Sequence, residues 1–173
     1  MTEKRSAQVE ALQIALETEK RGYRFYRIAA KSTVDPTGRT VFEQLAKDEI
    51  EHMGVFATLY ASLNNDEPWM TYEEAVEKFG RTPAGQIIFP EEPDEVSERF
   101  NDVEALREAL EFEKKAVRFY TEKAAEVDDT KAKSFYEKLV EIEGGHVIII
   151  QAEIDSLTGA GFWLGFQEIS LEY

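Results

Sequence analysis

The chain holds two histidines, and each closes the same short pattern. His52 ends "EIEH" and His146 ends "EGGH", so each stands three residues after a glutamate, Glu49 or Glu143. On a helix, an i, i+3 pair projects from one face, one side chain above the other. A carboxylate and an imidazole held this way form a chelating pair for a divalent cation. A single histidine on an apolar face is ordinarily a core residue with its nitrogens satisfied. Two histidines in the same context call for a shared chemical reason.

Two further carboxylates join the set. Glu19 and Glu113 each precede a histidine by 33 residues. On a helical wheel Leu12, Ala15 and Tyr26 fall within about 40° of Glu19, whereas Glu17 lies about 160° away. Glu19 therefore shares the apolar stripe and Glu17 faces solvent. Leu106, Ala109 and Tyr120 place Glu113 in the same way, with Glu111 outward. Phe42, Leu45 and Phe56 flank Glu49, and Tyr136, Leu139 and Ile150 flank Glu143. Four carboxylates and two imidazoles thus point into one apolar interior. Each buried carboxylate costs several kcal/mol of desolvation and repels its neighbours. Two divalent cations balance the four negative charges. Carboxylate-rich sites with one imidazole per ion suit Fe(II) or Mn(II), while structural zinc takes closed tetrahedra with more sulfur and nitrogen.

The elements that must carry these residues are helices. Periodicity predicts four, over about 6–32, 38–64, 101–127 and 130–158. "TVDPTG" (33–38) and "EVDDT" (126–130) break them into two antiparallel hairpins, the second break offering aspartate or threonine as N-cap. A shift of 94 residues lays "VEALQIALETEKRGYRFYRIAAK" (9–31) over "VEALREALEFEKKAVRFYTEKAA" (103–125), with 13 of 23 positions identical. The same shift lays 41–52 over 135–146. The chain is a duplicated hairpin whose halves face each other across a pseudo-two-fold axis. Residues 65–100, with four of the five prolines, form a long crossover with one short helix at Tyr72–Phe79. Such a crossover sets the second and third bundle helices parallel. It also allows one hairpin to swap into a partner chain, and a homodimer is expected. The expected organisation is one domain, 1–173: hairpin 6–64, crossover 65–100, hairpin 101–158 and tail 159–173.

Composition narrows the function. A net charge of −15 argues against nucleic acid and anionic membranes as partners. No stretch has the apolar length of a membrane span, and "MTEKRSAQVEALQ" lacks the core of a signal peptide, so a cytoplasmic location is expected. The absence of cysteine excludes disulfides, cysteine-bound zinc and a rubredoxin-type iron centre within these residues.

One Glu from each of two helices, with Glu-x-x-His from each of the other two, is the di-metal pattern of ferritin-like bundles. In that pattern Glu49 and Glu143 bridge two metals, Glu19 and His52 complete one, and Glu113 and His146 the other. With "ExxxxxxY" on helices one and three and "ExxH" on helices two and four, the chain resembles the rubrerythrin branch of the ferritin-like di-iron carboxylate superfamily. The resemblance covers the four helices. It implies an all-α ferritin-like four-helix bundle with a non-haem di-iron centre that reacts with hydrogen peroxide or dioxygen. Such a rubrerythrin-type peroxidase or ferroxidase needs an external electron donor, such as a rubredoxin-type protein. Iron storage of ferritin type and di-manganese catalase chemistry are the alternatives. Family members often carry an extra glutamate one turn after the third-helix ligand, where this chain has Ala116, with Gly22 in the other half.

Tyr26 and Tyr120, seven residues after Glu19 and Glu113, are placed to donate hydrogen bonds to the carboxylates. Arg24 and Arg118 lie off that face and read as surface residues. Gly144 and Gly145 cost the last helix roughly 2 kcal/mol relative to alanine. They mark either close packing of another segment or a softened turn. Phe162, Trp163 and Phe166 in the tail must be covered by the bundle end or by a second subunit.

Overall fold

The computed structural model describes residues 3–81 and 101–159. Five helices account for nearly all of them: α1 Glu3–Ser32, α2 Pro36–Asn64, α3 Tyr72–Gly80, α4 Asp102–Glu126 and α5 Thr130–Thr158. The expected four bundle helices and the short crossover helix are all present. Their ends are set by local chemistry. Asp35 caps α2 by accepting from Gly38 N–H, and Pro36 supplies a preset φ in the first turn. Asp129 caps α5 and Asn101 caps α4, each accepting N–H bonds of the first turn. α3 opens with a reciprocal capping box between Thr71 and Glu74. Gly159 ends α5 at φ 66°, the left-handed cap that only glycine adopts freely.

Contacts between the ends fix the helix directions. The backbone N–H groups of Val34 and Asp35, at the start of α2, donate to Asp102 at the start of α4. α2 and α4 therefore begin at the same end and run parallel, as a crossover requires. Lys131 at the start of α5 pairs with Glu74 of α3, just beyond the end of α2. α5 is thus antiparallel to α2.

The apolar stripes meet in two clusters. One gathers Leu12, Ala15, Phe56, Leu59, Tyr120, Phe135, Tyr136 and Leu139. The other gathers Tyr26, Phe42, Leu45, Leu106, Ala109, Ile150 and Ile154. Each takes residues from all four long helices, and the repeat maps one onto the other: Leu12 onto Leu106, Phe42 onto Tyr136, Phe56 onto Ile150. Every side chain that the helical wheel turned inward beside the glutamates is buried. α3 departs from this symmetry. Trp69, preceding it, packs on Phe135 and Tyr136 at 5.9 and 5.8 Å between ring centroids. The outer end of the Phe79 ring of α3 lies against α2 at Gly54, where an added Cβ would come within 2.2 Å of Phe79 Cζ. Residues 82–100 of the crossover and the tail aromatics Phe162, Trp163 and Phe166 lie outside the described residues.

Candidate metal centre

The polar residues of the interior lie between the two clusters. Glu19 from α1, Glu49 and His52 from α2, Glu113 from α4, and Glu143 and His146 from α5 are all at most 5 % exposed. They fall into two groups, Glu19–Glu49–His52 and Glu113–Glu143–His146, each offering ligand atoms within 4.8 Å of one another. The groups adjoin. His52 Nδ1 lies 3.6 Å from Glu19, 3.6 Å from Glu49 and 3.4 Å from Glu143 across the bundle. His146 Nδ1 lies 3.5 Å from Glu113 and 2.9 Å from Glu143. The imidazoles stack with centroids 5.9 Å apart. All six residues named from the sequence therefore converge. Glu17 and Glu111, expected outside, are exposed, and so are Arg24 and Arg118.

Polar groups this deep are ordinarily hydrogen-bonded. Here both oxygens of Glu49, both of Glu143, one of Glu113 and the Nδ1 atoms of both histidines have no hydrogen-bond partner. The 2.9 Å approach of His146 to Glu143 has the length of a hydrogen bond but not its angles. Seven unpartnered ligand atoms of the oxygen and imidazole type, converging in two adjoining groups, fit a pair of divalent cations. The two clusters can hold a di-metal centre.

Without cations the site holds protons. Burial raises Glu49 well above the carboxylate range, and the neighbouring Glu19 charge raises it further. Burial also raises Glu143, to about 7. Burial opposes the ionised form of Glu19 too, but the adjoining Glu49 carboxyl, the His52 imidazole and the Tyr120 hydroxyl that donates to it outweigh that and hold the carboxyl at about 2. Burial would lower both histidines. The Glu143 and Glu19 carboxylates instead bring His52 to about 9, and Asp48, Glu113 and Glu143 bring His146 to about 12. Cation entry must displace these protons.

The tyrosines cross the pseudo-symmetry axis. Tyr26 Oη donates to Glu113, and Tyr120 Oη donates to Glu19, so each half's tyrosine fixes the other half's carboxylate. Both hydroxyls are held far above their usual range, chiefly by burial, and stay protonated donors.

Three positions outside the predicted set shape the centre. Asp48 Oδ2 stands 3.3 Å from His146 Nε2, on the far side of the ring from the carboxylates, and orients it. The repeat puts Ile142 in the equivalent place beside His52, which has no such acceptor there. Tyr72 of α3 meets the His52 ring edge-on at 6.3 Å. At Gly22 an added Cβ would lie 2.7 Å from Glu49 Oε1 and 2.9 Å from Phe112, so glycine there leaves room for the carboxylate. Asp48 precedes Glu49 in sequence, yet its partner is in the other hairpin, and only the register of α2 against α5 joins them. Of the two expectations for the α5 glycines, the softened turn is not seen, and close packing by the crossover or the tail falls on residues outside the described ones. α5 runs through them unbroken, and an added Cβ at Gly144 or Gly145 meets no described atom within 4 Å.

The rubrerythrin family model matches residues 10–154, which span all four long helices and the six converging residues. The chain belongs to the rubrerythrin family. Among curated relatives, this rubrerythrin-family chain is 26% identical over 140 residues to the uncharacterized protein YhjR of Bacillus subtilis (strain 168), covering 81% of each chain. Among solved structures it is similar to a hypothetical protein from Pyrococcus furiosus, with TM-score 0.65 and 20% identity, covering 90% of this chain and 92% of that one. That likeness shows the fold: an all-helical bundle of ferritin-like type. No described helix is long and apolar enough to cross a membrane.

Proposed function

We propose that this rubrerythrin-family chain is a non-haem di-iron oxidoreductase that reduces hydrogen peroxide or dioxygen with electrons from an external donor. The observation that carries the reading is the convergence of six buried ligand-type residues, five of which hold carboxylate oxygens or imidazole nitrogens with no hydrogen-bond partner. Glu19 and His52 would hold one ion and Glu113 and His146 the other, with Glu49 and Glu143 shared. A bound pair of iron ions supplies two electrons to one oxidant, which matches the two-electron reduction of peroxide to water.

The protein's own groups do the rest. Tyr26 and Tyr120 hold Glu113 and Glu19 in place from across the bundle and exclude water from the carboxylates. The flanking clusters of Phe, Leu and Tyr keep the surroundings dry, which strengthens every charge interaction inside. These residues hold no cysteine and so no rubredoxin-type iron site of their own, and an external donor such as a rubredoxin-type carrier is part of the proposal. A cytoplasmic setting and a homodimeric assembly belong to the same proposal.

The test is reconstitution with Fe(II) under anaerobic conditions, followed by peroxide. Expected are two iron ions per chain, rapid oxidation to ferric iron, and peroxide loss in step with it. Peroxide loss no faster than with metal-free protein overturns the reading. Turnover with Mn(II) alone would instead point to catalase chemistry. Iron uptake far beyond two per chain would point to storage.

A further inference from the structure

Each tyrosine that holds a carboxylate of the centre also stacks on a ring behind it, and the halves differ in what that ring is. Tyr26 stacks on Phe42, with centroids 6.3 Å and planes 25° apart. Tyr120 stacks on Tyr136 at 6.4 Å and 22°. The repeat lays Phe42 over Tyr136, so the geometry is kept and the chemistry is not. A phenol gives up an electron far more readily than a phenyl ring. Packing does not account for the change, because phenylalanine fills the matching place in the other half.

The two rows also continue differently. Phe42 leads to Phe25, at 6.4 Å. Tyr136 leads to Trp69, at 5.8 Å, and an indole is again oxidisable. Trp69 stands in the link before α3, next to the exposed Asp66, Glu67 and Pro68, and is itself 5% exposed. Tyr120, Tyr136 and Trp69 therefore make a continuous row of oxidisable rings from a buried carboxylate to just beneath the surface. At the inner end Tyr120 Oη donates to Glu19. At the outer end the indole N–H of Trp69 is buried and meets no acceptor among the described residues.

We propose that Trp69, Tyr136 and Tyr120 carry single electrons from an external donor to the centre, entering on the Glu19 side. The inference rests on the redox reading of the site. Reducing dioxygen to two waters takes four electrons and four protons, and a pair of Fe(II) ions supplies two of those electrons. The row supplies the other two, one in each pass. In a pass, Tyr120 gives up one electron, and its hydroxyl proton moves along the hydrogen bond to Glu19. Trp69 then gives one electron to the Tyr120 radical across the stacked Tyr136 ring, and the proton returns from Glu19 to Tyr120. With no acceptor for its N–H, Trp69 keeps that proton and stays a cation radical until the one-electron donor reduces it. Two passes oxidise two donor molecules, and the four protons come from solvent. On the Tyr26 side, Phe42 and Phe25 raise the barrier to the same transfer.

The absence of native cysteine lets a photo-oxidant be placed at one site. In metal-free Pro68→Cys protein carrying a ruthenium polypyridyl label, a flash should oxidise Trp69, and a tyrosyl radical should form as the indole cation decays. Tyr136→Phe should slow that transfer severalfold, and Tyr120→Phe should remove the tyrosyl product. A tyrosyl signal unchanged by Tyr120→Phe, a rate unchanged by Tyr136→Phe, or no tyrosyl radical at all overturns the proposal. A second measurement uses protein loaded with Fe(II), exposed to dioxygen without donor and freeze-quenched. Electron paramagnetic resonance should show a radical that narrows when tryptophan is deuterated and that Trp69→Phe removes, with two ions per chain still bound. Oxidised iron without that radical overturns the route. Iron that dioxygen does not oxidise overturns the redox reading instead, and the flash experiment, which needs no metal, tells the two failures apart.

Discussion

The α1–α2 hairpin and the α4–α5 hairpin carry the same inward residues in the same register, and differ in what stands behind them. Glu19, Glu49 and His52 repeat as Glu113, Glu143 and His146. Behind His146 stands Asp48, while the equivalent residue for His52 is Ile142. Beside Glu49 the helix carries Gly22, and the equivalent place is Ala116, buried. α3 covers the outer face of α2, and no described element covers the same face of α5. The inner face is constrained twice over, since each half brings buried carboxylates beside the other's histidine and hydrogen-bonds the other's glutamate. The outer faces have no such reciprocal tie and have diverged.

The largest expected effect tests the symmetric part. Glu49→Ala and Glu143→Ala should each cut metal content from two ions per chain to one at most, by elemental analysis. Loss confined to one of the two variants would break the symmetry at its centre. Next comes the response to pH without metal. Glu143, raised from 4.5 to about 7, and His52, raised from 6.5 to about 9, both bind protons more tightly in the folded state. Their stabilisation is present at low pH and lost as pH rises through about 7 and then about 9. The Tm of chelator-treated protein should therefore fall between pH 6 and pH 9, by on the order of 10 °C. Metal-loaded protein should not follow, because cations then hold those atoms and bind more tightly as protons leave. Glu19 works the other way: held at about 2, it costs stability only as pH falls below the ordinary 4.5.

Two smaller effects sharpen the asymmetry. Asp48→Asn should weaken the ion beside His146 by roughly 10- to 100-fold and spare the ion beside His52. Ile142→Ala should leave both affinities unchanged, and stepwise Co(II) titration separates the cases. Gly22→Ala must displace Glu49 or Phe112 and should destabilise the fold by about 1–3 kcal/mol. Ala116→Gly should cost about 1 kcal/mol through helix propensity alone. Chemical denaturation with metal absent measures both.

Much of the centre was legible because its determinants are local. The three-residue step from Glu49 to His52 and the seven-residue step from Glu19 to Tyr26 each lie on one helix, where 3.6 residues per turn decide which side chains share a face. Asp35, Asn101 and Asp129 set the helix starts within their own first turns. Gly144 and Gly145 were not legible in this way, since a glycine records room for a neighbour without naming it.

The sequence alone determined the duplicated hairpin, the six converging residues and their opposite charge demands, because periodicity and repeat are properties of one helix at a time. Tertiary structure decided the crossing of Tyr26 to Glu113 and of Tyr120 to Glu19, the placement of Asp48 behind His146, and the fit of Phe79 over Gly54. Each of these joins different helices. Their rotation and offset are fixed only when the apolar stripes interlock, and that relation between helices is written in no single stretch of chain.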